Sequence, residues 1–169
     1  MRLLCLLLVA GALSAEPAAM PRVRSSHPYI RAMIAEAQVR SAMFRDLVHA
    51  IEATNGIVYV EEGSCRHGVN ACLPLLVTSS GGYRILRVMI DGRRQDWDVM
   101  TSMGHELQHA FEVLSRPEVQ SGEQAFYEFY QAGKSVERFE TDEALRVSQI
   151  IRRELEAFSR SGSTKGMAR

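Results

Sequence analysis

The residues with the clearest chemical potential are His105, Glu106 and His109, in the run Met103-Gly104-His105-Glu106-Leu107-Gln108-His109-Ala110-Phe111. On an α-helix, residues four apart lie one turn apart on the same face, so both imidazoles of a His-Glu-x-x-His pattern can approach a single metal ion. Glu106, one position on, then sits beside the ion rather than on it, where its carboxylate can take a proton from water. Zinc suits this arrangement, because imidazole nitrogen ligands leave room for a water whose pKa the metal lowers toward about 7. No Gly-x-Ser-x-Gly segment competes to supply a serine nucleophile.

These residues need a helix, and that helix needs something to pack against. Asp96 or Asp98 can cap a helix running to about Leu114. Ahead of it, residues 57–61, 73–78 and 83–90 are short apolar or β-branched runs, separated by a cysteine loop and by Ser79-Ser80-Gly81-Gly82. They read as a small antiparallel three-stranded sheet. Further upstream, Ser26-His27-Pro28 marks a helix start. Ile30, Met33, Ile34 and Ala37, then Phe44, Leu47, Val48 and Ile51, repeat at helical spacing. They form one long helix or two broken near Ser41, ending at Asn55-Gly56 and covering the inner face of the sheet. Beyond the His-Glu-x-x-His helix, a short helix is expected over about 123–131. A last one is expected over about 136–158, with Ala144, Val147, Ile151, Leu155 and Phe158 on its apolar face. The fold class is therefore α+β.

Residues 57–144 resemble the catalytic core of the zincin metallopeptidases, and the gluzincin branch fits best. In that branch a third metal ligand is a glutamate on a later helix, in patterns such as Glu-x-x-x-Asp or Glu-x-x-x-Ala. Phe139-Glu140-Thr141-Asp142-Glu143-Ala144 supplies Glu140 with Ala144 four residues on, and Glu143 is the runner-up. The metzincin variant does not fit, because Ala-Phe-Glu-Val-Leu-Ser after His109 lacks its glycine and third histidine. The resemblance implies one Zn2+ per chain held by His105, His109 and Glu140, with Glu106 as the catalytic base. It also implies a peptide or protein substrate held antiparallel along an edge strand, a place that residues 83–90 would occupy. Tyr127 and Tyr130 are candidates to stabilise an oxyanion, or are simply core aromatics. The alternative reading keeps the zinc and the zincin-like fold but not turnover, leaving a scaffold or interaction protein. His27 is read as a helix-start residue and His49 as solvated near the end of the first helical segment.

The chain around these residues has 169 positions, 46% of them hydrophobic and 24% charged, with twenty basic and twenty acidic side chains. It is the length of one domain and large enough to have a core without help from metal or disulfide. The balanced charge offers no attraction for phosphates, so no nucleic-acid partner is expected. Residues 1–15 read as a signal peptide: Arg2, an apolar stretch from Leu3 to Leu13, then Ser14-Ala15. The apolar stretch is shorter than the roughly 20 residues that span a bilayer. Its removal leaves no membrane anchor, and places the protein in the periplasm or outside the cell. Cys5 leaves with it. Cys65 and Cys72 are then most simply a disulfide closing a short loop; a metal site built from Cys65, His67 and Cys72 is the rival. Residues 16–26 read as a linker, 27–159 as a single domain and 160–169 as a flexible tail.

Overall fold

A computed structural model describes residues 20–65, 68–91, 97–131 and 140–166, except for the side chains of 128–131 and 162–166. The expected signal peptide, His67, Asp96, the Tyr130 side chain and residues 136–139 of the expected last helix lie outside the described residues.

Among the described residues the fold is α+β, with five helices and a small mixed sheet. Strand β1 is Val23–Arg24, β2 is Gly56–Glu62, β3 is Ala71–Cys72, β4 is Thr78–Ser80 and β5 is Tyr83–Ile90. The helices are α1 (Pro28–Arg40), α2 (Ala42–Glu52), α3 (Trp97–Leu114), α4 (Gly122–Gln131) and α5 (Asp142–Gly166). Among the described residues, no helix is long and apolar enough to cross a membrane.

The expected three-stranded antiparallel sheet is corrected to a five-stranded mixed one. Its order is β1-β2-β5-β3, with β4 also paired to β5. β2 and β5 run parallel, in register from Gly56↔Arg84 to Glu62↔Ile90. The reason lies in the connection between them, since parallel strands need a crossover of a dozen residues or more. Residues 63–82 are long enough to carry the chain to the far edge of β5. There β3 and β4 pair antiparallel to it, and the two-residue Gly81-Gly82 turn leads back. Both glycines have positive φ, +57° and +81°, as a two-residue hairpin turn with a right-handed twist requires.

Three further expectations change. The run 73–78 is not a continuous strand: only Ala71–Cys72 and Thr78–Ser80 pair with β5, and Pro74 between them has no N–H to give a ladder. β5 is consequently internal, and the sheet edge on that side is the 71–80 segment. The linker reading fails at Val23–Arg24, which pairs with Val58–Tyr59 and buries Val23. α5 continues through part of the expected tail, to Gly166.

Alternation along the strands defines the core face. Val58 and Val60 of β2, and Leu86, Val88 and Ile90 of β5, point inward. The helices meet them with stripes at helical spacing: Ile30, Met33, Ile34 and Ala37 of α1, Phe44, Leu47, Val48 and Ile51 of α2, and Val147, Ile151 and Leu155 of α5. The two N-terminal helices break at Ser41, which is fully buried. Its hydroxyl accepts the Phe44 amide at 3.0 Å and donates to Glu154 of α5 at 2.5 Å, so the break is itself a tie between α2 and α5.

The end of α3 is fixed by a buried charge. Arg84, on the inward face of β5 and 2% exposed, spreads its guanidinium over the last carbonyls of α3 and the loop beyond. Nη2 donates to Leu114 O at 2.5 Å, and Nη1 to Val113, Arg116 and Val119 O at 3.2, 2.6 and 3.1 Å. Nε donates to Asn55 Oδ1 at 2.9 Å. Carbonyls at a helix C-terminus lack intrahelical partners and carry the negative end of the macrodipole, so a fork of cationic donors suits them. Burial nevertheless lowers the pKa of this guanidinium from its ordinary value, with the Glu118 charge opposing that shift.

Candidate metal centre

The site is built where α3 crosses the start of α5. Gly104 permits the crossing: a Cβ there would run into the Ile151 side chain of α5 and lie 3.3 Å from the Phe44 ring. With nothing at that position, the two helices approach closely one residue before His105. The chain ahead of α5 then delivers Glu140. That residue was expected to open the last helix but precedes it, because Thr141 is the cap. Thr141 Oγ1 accepts the Ala144 amide at 3.0 Å, and α5 begins only at Asp142.

Three donor atoms converge there. His105 Nε2 and His109 Nε2 are 3.1 Å apart, and Glu140 Oε1 lies 3.0 Å from the first and 3.7 Å from the second. Four-coordinate bonds of about 2.0–2.2 Å would hold neighbouring donors about 3.3–3.6 Å apart, and the observed separations bracket that range. Glu140 Oε1 is also buried without a hydrogen-bond partner. A buried carboxylate oxygen aimed at two imidazole nitrogens, with no proton geometry joining them, is the arrangement a shared cation satisfies. The residues fit a divalent metal ion, and two imidazoles with one carboxylate form a set that zinc accepts.

The surroundings discriminate between the two ligand candidates and set the environment of Glu106. Glu143 is half-exposed and paired with Arg146, at 2.5 and 2.8 Å, and that guanidinium holds its carboxyl below the usual range. It is not in the cluster. Glu106 is largely buried on α3. Burial raises its pKa, the His109 charge and a hydrogen bond from the Leu73 backbone oppose that rise, and Glu140 reinforces it. A carboxyl pushed upward holds a proton more readily, which favours acid–base work near neutrality. The same stretch that leaves the sheet at Pro74 therefore supplies an amide to the candidate base. His105 is pushed the other way: burial lowers its pKa, as does the neighbouring His109 charge, against the Glu140 carboxylate.

Other expected residues fall elsewhere. Tyr127 is exposed on α4, where it lines a shallow pocket with Glu118, Val119, Glu123 and Gln124, none of them a ligand. His27 is the N-cap of α1 and His49 is exposed in the last turn of α2. Cys65 and Cys72 form a disulfide, their Cα atoms 5.9 Å apart, which ties the chain just after β2 to β3.

Sequence reading missed Glu112, whose Oε2 lies 3.3 Å from His109 Nδ1 and whose Oε1 accepts from Thr141 Oγ1 at 2.7 Å. Burial pushes the Glu112 carboxyl up, but hydrogen bonds from His109, Thr141 and Gln108 outweigh this and leave it below the ordinary value. The signal was present in the spacing His109-x-x-Glu112, which puts both on one helix face. In comparisons with known proteins, no family model, no curated protein and no solved structure matches the chain.

Proposed function

We propose that the chain is a zinc-dependent metallopeptidase of the gluzincin type, exported to the periplasm or the cell exterior. The observation that carries this reading is the convergence of His105 Nε2, His109 Nε2 and Glu140 Oε1 on one point, with the partly buried carboxyl of Glu106 on the helix that bears the two histidines. The disulfide supports an oxidising compartment.

When bound, the ion would supply Lewis acidity toward a carbonyl and a water acidic enough to attack at neutral pH. The chain's own residues do the rest. His105 and His109 from α3, with Glu140 from the chain just ahead of α5, would hold the cation. Glu106 accepts the proton of the attacking water on its carboxylate and passes it to the departing amine nitrogen, a transfer that its raised pKa assists. The Leu73 amide fixes the orientation of that carboxylate. An extended peptide would lie along the 71–80 edge rather than along β5, whose two sides are already paired.

The test is hydrolysis of a broad peptide library by zinc-loaded protein, beside Glu106→Gln. Cleavage by the wild type, abolished in a variant that keeps its zinc, supports a peptidase. Equal inertness of two zinc-loaded proteins would leave a zinc-binding scaffold.

A further inference from the structure

Each imidazole is held from behind by a different partner: His109 by Glu112 of its own helix, and His105 by the Ala144 backbone in α5. The Glu112 carboxylate reaches the Nδ1 of His109, while the Nε2 of the same ring faces His105 and Glu140. An ionised carboxylate only accepts, so this contact places the ring proton on Nδ1 and turns the Nε2 lone pair toward the cluster. The other Glu112 oxygen accepts from Gln108 Nε2 at 3.3 Å on its own helix and from Thr141 Oγ1 across the helix interface. Thr141 is the residue next to Glu140 and the cap of α5. The His105 ring has a backbone hydrogen bond to Ala144, in the first turn of α5.

We propose that Glu112 is the positioning residue of the metal centre, setting the tautomer and direction of His109 and, through its bond to Thr141, seating Glu140 beside the two histidines. The proposal rests on the metal-site reading above. It makes one carboxylate responsible for two ligands on different segments: a ring held through Nδ1, and a carboxylate held through the adjacent cap. Outer partners of metal-bound histidines typically change metal affinity by about 10–100-fold when removed.

The experiment measures zinc affinity of the full chain by competition with a chromophoric chelator, and the visible spectrum of the Co2+ form, for the wild type, Glu112→Gln, Glu112→Ala, Thr141→Val, Thr141→Ser and the control Glu143→Gln. Glu112→Gln and Glu112→Ala are expected to weaken zinc binding about 10–100-fold and to alter the Co2+ spectrum, whereas Glu143→Gln leaves both unchanged. Thr141→Val is expected to weaken binding and Thr141→Ser to restore it. A second readout needs no variant to fold: long-range 1H–15N spectra of the metal-free wild type should show His109 protonated at Nδ1. Zinc binding by the wild type with Glu112→Gln and Glu112→Ala within twofold of it, or a His109 ring protonated at Nε2, would overturn the positioning role and leave the metal site standing. A wild type that binds no zinc would instead bring down the metal reading itself.

Discussion

Replacing Arg84 by methionine is the severest test of how α3 is held. The substitution keeps an apolar stem of similar length and removes a guanidinium that makes five hydrogen bonds. Two of those partners, Asn55 and Arg116, belong to exposed residues and can turn to water. The carbonyls of Leu114 and Val119 belong to buried residues and would be stranded, while that of Val113 keeps the Arg116 amide at 3.3 Å. An unsatisfied buried acceptor costs about 1–3 kcal/mol, and neighbouring sites do not add fully, so a loss of about 3–5 kcal/mol is expected. That is a large share of the roughly 5–15 kcal/mol that a domain has. In urea, with a slope of about 2 kcal/mol per molar, the unfolding midpoint should fall by about 2 M. Arg84→Lys keeps the charge but not the fork and should fall between the two. A loss below about 1 kcal/mol for Arg84→Met would show that water satisfies these carbonyls unaided, and that the C-terminal end of α3 does not depend on Arg84.

Other perturbations probe different links. Gly104→Val should lower stability by about 1–3 kcal/mol through overpacking against Ile151 and Phe44, read as a drop in melting temperature of the metal-free protein. Cys65→Ser with Cys72→Ser should cost about 2–3 kcal/mol, the value for so short a closed loop, measured in urea without reductant. Zinc at about a hundred times its dissociation constant should stabilise the wild type by about 2.7 kcal/mol and raise its melting temperature, an effect a chelator reverses. Glu140→Gln should remove most of that rise and Glu143→Gln none of it.

Much of this architecture was readable from local pattern. The helical faces of α1 and α2 and the apolar stripe of α5 follow from residue spacing, because burial on one side of a helix leaves a periodic trace in the chain. His105, Glu106 and His109 were legible for the same reason: their geometry is set within one helix. Glu140 was found only through family resemblance, since its approach to the histidines depends on how α5 crosses α3 at Gly104. The parallel pairing of β2 with β5 left no local trace. A strand's inward and outward alternation is the same whichever way its neighbour runs, so Val58 and Val60 could not reveal that they lie beside Leu86 and Val88 in parallel. The 73–77 departure was legible in principle, since Pro74 cannot join a ladder from within, yet the apolar character of Leu73, Leu75, Leu76 and Val77 outweighed it. Glu112 was overlooked because an ordinary glutamate on a helix face acquires meaning only when Nδ1 of His109 and the hydroxyl of Thr141 are seen to meet it.

The central claim is that His105, His109 and Glu140 share one ion, and it is tested most directly by a crystal structure of zinc-soaked protein with data collected on both sides of the zinc absorption edge. The account predicts one anomalous peak per chain, about 2.0–2.2 Å from Nε2 of His105, Nε2 of His109 and Oε1 of Glu140. A map with no peak at that point, or with zinc bound only at other residues, would contradict it.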